Sequence, residues 1–237
     1  MDVIALNIFA DVPPVTKCWT MACLAVLILT SLNLIDPAKL IYNYDLVFKK
    51  GQYQRIFLSV FNYGTFSWAT IGNILVSANH LSFLESSYNE RRKFLWLITV
   101  LLSLIVYITK YVQPMSSLGM ILHENLVNFH FKKHANEMNG GAVGGFIIAT
   151  PLLPYLMYFN MYFSQGASLL EISINFIPAH IIYYLDDIVA KLYDVDLMKT
   201  PYDMWLSFQA WRLKDKVSDP QEVEELNPTS ATEVIDD

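Results

Sequence analysis

The chain has 237 residues, of which 54% are hydrophobic and 16% are charged, and its mean hydropathy is +0.34. A soluble domain normally carries about a quarter charged residues, so this composition excludes an ordinary soluble protein and indicates a single membrane domain. With a formal net charge of −6, the chain also lacks the basic footprint of a nucleic-acid-binding protein, and we expect no nucleic acid among its partners.

Long uncharged segments predict an all-α membrane protein that crosses the bilayer six times. Each predicted span is an apolar stretch bounded by charged or turn-forming residues. The spans are predicted at about residues 17–35, 66–84, 94–109, 114–129, 144–163 and 169–185. The fifth span contains Pro151 and Pro154, so we expect it to be bent or locally unwound.

Several of these spans are short for a bilayer. The hydrocarbon core is about 30 Å thick, which takes roughly 20 helical residues to cross. The uncharged segments 94–109 and 172–185 reach only about 24 Å and about 21 Å, at roughly 1.5 Å per residue. Such helices thin the surrounding membrane or hide their ends against other helices.

The chain is predicted to consist of a membrane domain, residues 1–190, which contains all six spans, and a tail, residues 191–237. Residues 1–16 predict a short amphipathic lead-in, and residues 36–63 interleave aromatic rings with cations, which is typical of a loop lying in the membrane–water interface. The tail is predicted to be cytosolic and disordered beyond about residue 214. Eleven Lys and Arg residues on the side of the termini, against five opposite, predict that both termini are cytosolic.

Polar side chains within the spans are candidate site residues, because such groups usually face other helices or a watery cavity. Thr70, Asn73, Ser77 and His80 follow each other at spacings of three and four on one helical face, and we expect them to line a water-filled groove. A structural polar network is expected at Arg55, Ser117, His123, Glu124, Asn125, Asn175, Ala179 and His180. Arg55 is expected to anchor the first loop. Simple helix–helix hydrogen bonding stays an alternative for these groups.

Four long, non-degenerate stretches carry a resemblance to a known family: residues 42–53, 76–82, 122–127 and 175–187. Over about residues 11–203 the chain resembles the Derlin family, the rhomboid-related pseudoproteases of the endoplasmic reticulum, and most of all its fungal branch for lumenal substrates. The resemblance implies a six-helix rhomboid-like bundle with an interfacial first loop. The chain departs from the family at Gln54, where the family has Trp, and at Asn175 and Ala179, where it has Gly.

The resemblance implies a non-catalytic component of endoplasmic-reticulum-associated degradation, multi-pass in that membrane. Such a protein aids retrotranslocation of misfolded lumenal proteins through a thinned bilayer and a polar lateral groove. The implied partners are a membrane E3 ubiquitin ligase, its scaffold protein, the misfolded substrates and the lipid bilayer. Some relatives recruit a cytosolic AAA segregase through a Phe-x-Gly-x-Gly motif, which is missing after Asp187, so direct recruitment is not expected. Self-association stays open.

Two other functions are considered. An active rhomboid-type intramembrane serine protease needs a serine within hydrogen-bond reach of its histidine base. His180 stands at the position of that histidine, but neither Ser116 nor Ser117 has a glycine two residues ahead, so we expect no catalytic residue. A small-solute transporter is expected to show inverted repeats, and the sequence has no convincing internal repeat.

Cys18 and Cys23 are interpreted as small apolar residues of the first span, and we predict no cofactor and no metal site.

Overall fold

The computed structural model describes residues 12–134, 141–143, 146–148 and 152–217. Its helices are α1 (Pro14–Ser31), α2 (Tyr44–Phe48), α3 (Gln54–Val60), α4 (Trp68–Ser87), α5 (Arg91–Ile108), α6 (Leu118–Lys133), α7 (Leu153–Gln165), α8 (Leu169–Ile174), α9 (Ile177–Tyr183), α10 (Ala190–Tyr193) and α11 (Pro201–Val217). The chain falls into two compact units, residues 1–198 and 199–237. Most of the predicted lead-in and the tail beyond residue 217 lie outside the described residues.

The all-α prediction is confirmed by this succession of helices, with one small exception. Strands β1 (Gly141–Val143) and β2 (Phe146–Ile148) form a short antiparallel hairpin in which Gly141 pairs with Ile148. Strand β2 falls within the predicted fifth span, and among the described residues of that span the helix begins at Leu153. Pro154 stands in the first turn of α7, where a missing N–H costs nothing because it would have no intrahelical partner.

Helix α6 is the centre of the bundle. It contacts α3, α4, α5 and α9, and its buried residues spread around the whole helix rather than along one stripe. The core includes Leu118, Leu122, Leu126 and Phe129, each 3% exposed or less. Neighbouring helices therefore shield α6 from lipid, and this allows it to carry polar residues at membrane depth.

The apolar character of the chain is concentrated in the helices around α6. Among the described residues, two segments are long and apolar enough by themselves to cross a membrane, Pro14–Ser31 and Arg91–Tyr111. They correspond to the first and third predicted spans. Helix α1 packs against α4, and α5 packs against α6. The outer helices thus supply the hydrophobic surface that the central helix lacks.

Glu85, near the end of α4, caps the beginning of α1. Its two carboxylate oxygens accept hydrogen bonds from the backbone N–H groups of Val15 and Thr16, at 3.0 and 2.8 Å, and from the Thr16 hydroxyl at 2.9 Å. Helix α1 has no capping side chain of its own at Pro13. A carboxylate at this end also suits the positive end of the helix dipole. The buried Glu85 therefore joins the first two long helices.

The sixth predicted span, residues 169–185, is not a single helix. It breaks between Ile174 and Ile177 into α8 and α9, and a π-helical segment, Tyr184–Val189, follows. Pro178 explains the break, because it lacks the N–H that would bond the Ile174 carbonyl four residues earlier. The carbonyl of Ile174 instead accepts a hydrogen bond from another helix, which belongs to the site described next.

Candidate functional site

A cavity of about 360 Å³ lies beside the first half of α6, between that helix and the α7–α8 region. Its polar lining consists of Ser116, Ser117, Glu124, Glu171 and Asn175, and its apolar lining includes methionines from α6 and α7. Two carboxyl groups thus line one space, with Glu171 on its exposed side. Such a space can hold water and offer hydrogen-bond acceptors to a polar chain, which lipid cannot do.

Three of the predicted network residues line this cavity: Ser117, Glu124 and Asn175. The sequence prediction missed Glu171 and included Ser116 only as a rejected nucleophile. Glu171 belongs to a capping box at the start of α8, in which its carboxylate accepts from the backbone N–H of Ser168 at 2.9 Å. That motif, a serine followed three residues later by glutamate, is readable from sequence alone.

Asn125 joins α6 to the break in the sixth span. It is fully buried, and its side-chain amide donates to the carbonyl oxygens of Ile121 and Ile174 at 2.8 and 2.9 Å. Its Oδ1 accepts from the backbone N–H of Ala179 at 3.0 Å. Two of the backbone groups freed by the break are thereby paired, and this places Asn125 and Ala179 in one hydrogen-bond network.

Helix α7 is attached to the bundle through Tyr158. The side-chain amide of Asn128, on α6, donates to the Tyr158 hydroxyl, which in turn donates to the Asn175 backbone oxygen at 3.4 Å. Tyr158 is buried, whereas Tyr155, Phe159 and other large side chains of α7 are exposed. One wall of the cavity is therefore a helix that Tyr158 attaches to the bundle and that has an outward aromatic surface.

The predicted groove residues of α4 occupy different surroundings. Thr70 is buried in the first turn, where its hydroxyl donates to the Thr65 carbonyl at 2.7 Å. Ser77 is buried, His80 is half-buried and Asn73 is exposed. The His80 ring meets that of His123 on α6, with centroids 5.5 Å apart. These four residues thus extend from the first turn of α4 to its contact with α6. The face of α6 that they meet, at His123, differs from the face of α6 that lines the cavity.

Ser117 and His180 do not come together. Ser117 caps α6: its hydroxyl donates to the Asn62 carbonyl and accepts from the Met120 N–H at 3.0 Å. His180 pairs through Nδ1 with Lys132, in the last turn of the same helix. The 16 residues of α6 span about 24 Å. The separation is far beyond the hydrogen-bond reach that a serine–histidine dyad requires.

Arg55 holds the first loop rather than the intramembrane network. Its Nε donates to Gln52 at 2.6 Å, and its Nη1 donates to the carbonyl oxygens of Ala38 and Ile41 at 2.5 and 3.1 Å. The loop is joined to the chain before α6 by paired backbone hydrogen bonds between Tyr42 and Met115, at 2.9 and 3.0 Å. Arg55 therefore closes the loop on itself, and Tyr42 attaches it to the bundle.

A second cavity, of about 320 Å³, lies at the opposite end of α6. Lysine and aspartate side chains with two aromatic rings line it: Tyr88, Lys93, Trp96, Lys133, Asp186, Asp187 and Asp196. Lys133 pairs with Asp186 at 3.2 Å and stands 4.8 Å from the centre of the Tyr88 ring. Burial raises the pKa of the Tyr88 phenol, and the Asp186 charge raises it further, so this phenol stays neutral. These contacts fasten the end of α6 to the π-helical segment.

Comparisons of the sequence with known proteins identify its family. Residues 12–202 match the Der1-like family. The chain is 51% identical over 203 residues to "Degradation in the endoplasmic reticulum protein 1" of Saccharomyces cerevisiae, covering 86% of this chain and 96% of the relative. It is 24% identical over 201 residues to "Probable derlin-2 homolog" of Dictyostelium discoideum, covering 81% and 78%. It is 28% identical over 123 residues to "Derlin-1.2" of Zea mays, covering 48% and 51%. The chain therefore belongs to the Der1-like family, the family of the derlins.

Proposed function

We propose that this protein is a non-catalytic component of endoplasmic-reticulum-associated degradation that helps misfolded lumenal proteins cross the membrane. The family and the name of the Saccharomyces cerevisiae relative support a role in degradation at the endoplasmic reticulum. The wide separation of Ser117 from His180 supports a role without peptide-bond cleavage. The protein would reside in that membrane with several spans and both termini in the cytosol.

The polar cavity beside α6 is the single observation that carries the proposal. A polypeptide that enters hydrocarbon loses water contacts, and each unpaired backbone group then costs several kcal/mol. Glu124, Glu171 and Ser116 would offer replacement partners within the bundle. Helix α7, held through Tyr158, would form the movable wall. Asn73, Ser77 and His80 on α4 would line the approach from the other side of α6.

Short helices support the thinned-membrane part of the proposal. Helix α7 has 13 residues and spans about 20 Å, against the roughly 30 Å of a bilayer core. A mismatch of this kind is relieved when the bilayer thins locally. A thinner apolar layer shortens the path on which a polar chain is without water, and it therefore lowers the barrier to transit.

Photocrosslinking tests the substrate path directly. A photoreactive amino acid would replace Glu124 in the cavity, His80 on α4, or Thr99, which is exposed on α5. We expect crosslinks from positions 124 and 80 to a soluble misfolded lumenal protein. Position 99 should label lipid or neighbouring membrane proteins, among which a ubiquitin ligase and its scaffold are the expected partners. Substrate crosslinks from position 99 alone would overturn the assigned path.

Clearance of the same substrate tests whether the path is used. In cells whose own copy has been removed, we would express a Glu124→Leu, His80→Leu double variant at the level of the wild type. We expect the half-life of the substrate to lengthen severalfold. The matched control is Asn79→Leu, an exposed position on α4, which should leave the half-life unchanged. Normal clearance by a double variant that accumulates normally would refute the proposal.

A further inference from the structure

The second cavity, at the end of α6, is lined by charges of both signs. Two lysines and three aspartates contribute to it: Lys93, Lys133, Asp186, Asp187 and Asp196. The aromatic rings of Tyr88 and Trp96 line the same space. Its volume of about 320 Å³ is in the range of cavities that hold small ligands. A lining of this composition suits a group that itself carries one positive and one negative charge, and we call it the mixed-charge cavity.

The π-helical segment, Tyr184–Val189, brings two consecutive carboxylates to the mixed-charge cavity. Asp186 and Asp187 both line it. The Asp187 side chain is 23% exposed, whereas Lys191, which pairs with it at 2.8 Å, is 75% exposed and stands outside the lining. Segments of π-helix are rare and occur frequently at functional sites. The local backbone is therefore a second indication that this cavity holds a ligand.

One cation and one anion of the cavity are not consumed by close ion pairs within the protein. Lys133 and Asp186 pair with each other at 3.2 Å. The Lys93 ammonium, by contrast, approaches Glu90 only to 3.9 Å. In the part of the chain that the structure describes, Asp196 forms no ion pair, and its Oδ1 accepts the backbone N–H of Met198 at 3.0 Å. Lys93 and Asp196 thus offer opposite charges to one ligand.

The mixed-charge cavity lies where a candidate membrane span begins. The segment Arg91–Tyr111 is long and apolar enough to cross a membrane. Lys93 and Trp96 stand in its first two turns, three residues apart and on the same face. Tryptophan rings and basic side chains at the end of a span lie at the level of the lipid headgroups. The cavity is therefore at the depth at which a headgroup, rather than an acyl chain, is found.

The same face of α5 continues below the cavity as a path for an acyl chain. Val100, Ser103 and Tyr107 follow Trp96 at spacings of four, three and four. Val100 is half-buried, and Ser103 and Tyr107 are exposed. A lipid whose headgroup enters the mixed-charge cavity can therefore lay a hydrocarbon chain along α5 without displacing a core residue.

We propose that the mixed-charge cavity binds the headgroup of a zwitterionic phospholipid, phosphatidylcholine or phosphatidylethanolamine. The phosphate pairs with Lys93. The ammonium lies near Asp196 and the Trp96 ring, which attract a cation through charge and through the aromatic face. Three carboxylates in the lining repel a headgroup of net negative charge, so the cavity selects against anionic lipids. The inference rests on the membrane character of the family and does not depend on the proposed transport role.

Native mass spectrometry of the full-length chain in detergent tests this assignment. The protein would be mixed with phosphatidylcholine or with phosphatidylglycerol of identical acyl chains, and the fraction that carries one lipid would be measured. We expect phosphatidylcholine to bind more tightly than the anionic lipid. Lys93→Ala and Asp196→Asn should each weaken its binding about fivefold, the effect of one charge at a membrane surface.

The variants are chosen so that a loss of binding reports on the cavity. Asp196→Asn removes the charge and keeps a side-chain oxygen that can accept the Met198 N–H. Arg91→Ala is the matched control for Lys93→Ala, because it removes a positive charge from the same turn of α5 outside the cavity lining. It should leave phosphatidylcholine binding unchanged. Unfolding temperatures equal to that of the wild type would show that the variants are folded.

Four outcomes would overturn the proposal. Tighter binding of phosphatidylglycerol would show a basic site for anionic lipids. Unchanged phosphatidylcholine binding by both cavity variants would place the lipid elsewhere, and an equal loss in the Arg91 variant would show attraction by the surface as a whole. Glycerophosphocholine, the same headgroup without acyl chains, should compete weakly. If it bound as tightly as the lipid, the cavity would take a soluble zwitterion instead.

Discussion

At the scale of single residues, Asn125 has the most demanding position in the bundle. Its fully buried side chain pairs the Ile174 carbonyl and the Ala179 N–H at the break between α8 and α9. Asn125→Leu keeps the branching and the number of side-chain heavy atoms and removes every side-chain hydrogen bond. Each buried backbone group left unpaired costs about 1–3 kcal/mol. We expect a clearly lower unfolding temperature for the purified protein in detergent, measured by the fluorescence of its tryptophans.

The same substitution at an exposed position supplies the control for Asn125. Asn79 lies on α4 with its side chain exposed, and Asn79→Leu should unfold at the wild-type temperature. The comparison separates the loss of hydrogen bonds from the effect of replacing asparagine by leucine within a membrane helix. Equal unfolding temperatures for the two variants would show that Asn125 does not hold the broken span.

Polar groups are conspicuous in the sequence where they interrupt an apolar segment. Asn125 and Glu124 are conspicuous for this reason, and both have defined surroundings in the structure. Glu85 is not conspicuous, because it stands at the end of a span among other polar residues. Its partners Val15 and Thr16 are 70 and 69 positions away, and only the packing of α4 on α1 reveals them.

At the scale of elements, the contact between α3 and α6 depends on Gly119. A Cβ atom at this position would overlap the Val60 carbonyl oxygen and lie 3.3 Å from the Tyr63 ring. Because backbone cannot move aside as a side chain can, Gly119→Ala should force α3 away from α6 and loosen the first loop. We expect faster hydrogen–deuterium exchange in α3, measured by mass spectrometry, and a lower unfolding temperature.

Gly72 on α4 gives the matched control for that substitution. A Cβ there meets nothing within 4 Å, so Gly72→Ala should leave exchange in α3 unchanged. Alanine is favoured over glycine inside a helix by about 1 kcal/mol, and this variant should be as stable as the wild type or slightly more stable. Unaltered exchange in the Gly119 variant would mean that α3 and α6 are not tightly packed.

The helices themselves differ in how far the sequence predicts them. The span predicted at residues 94–109 and helix α5 (Arg91–Ile108) nearly coincide, since an uncharged apolar run has clear ends. Helix α6 extends through Lys133, four residues beyond the predicted 129, because basic side chains at its last turn suit the negative end of the helix dipole. The π-helical segment, Tyr184–Val189, has no recognised sequence signal.

At the scale of the whole molecule, the sequence predicts the class of fold and much less of the site. Alternating apolar and charged segments are enough to indicate a helical membrane bundle. The cavity depends instead on residues from α6, α7 and α8 that meet only after packing, such as Met120, Met161 and Glu171. Helical periodicity identifies which residues share a face, but it cannot state which helices face each other. Periodicity therefore predicts a groove along α4 alone.

The short helices predict how the whole protein responds to bilayer thickness. Helices α1 and α7 have 18 and 13 residues, or about 27 and 20 Å, both below the roughly 30 Å of a typical hydrocarbon core. Each ångström of mismatch costs a fraction of a kcal/mol, and the cost falls when the lipid is thin. We expect the unfolding temperature in vesicles of lipids with 14-carbon chains to exceed that with 22-carbon chains. A fully apolar six-span protein with spans of about 22 residues is the control and should show the opposite order. If the protein were instead most stable in the thick bilayer, its helices would not thin the membrane, and the low barrier to polypeptide transit would need another cause.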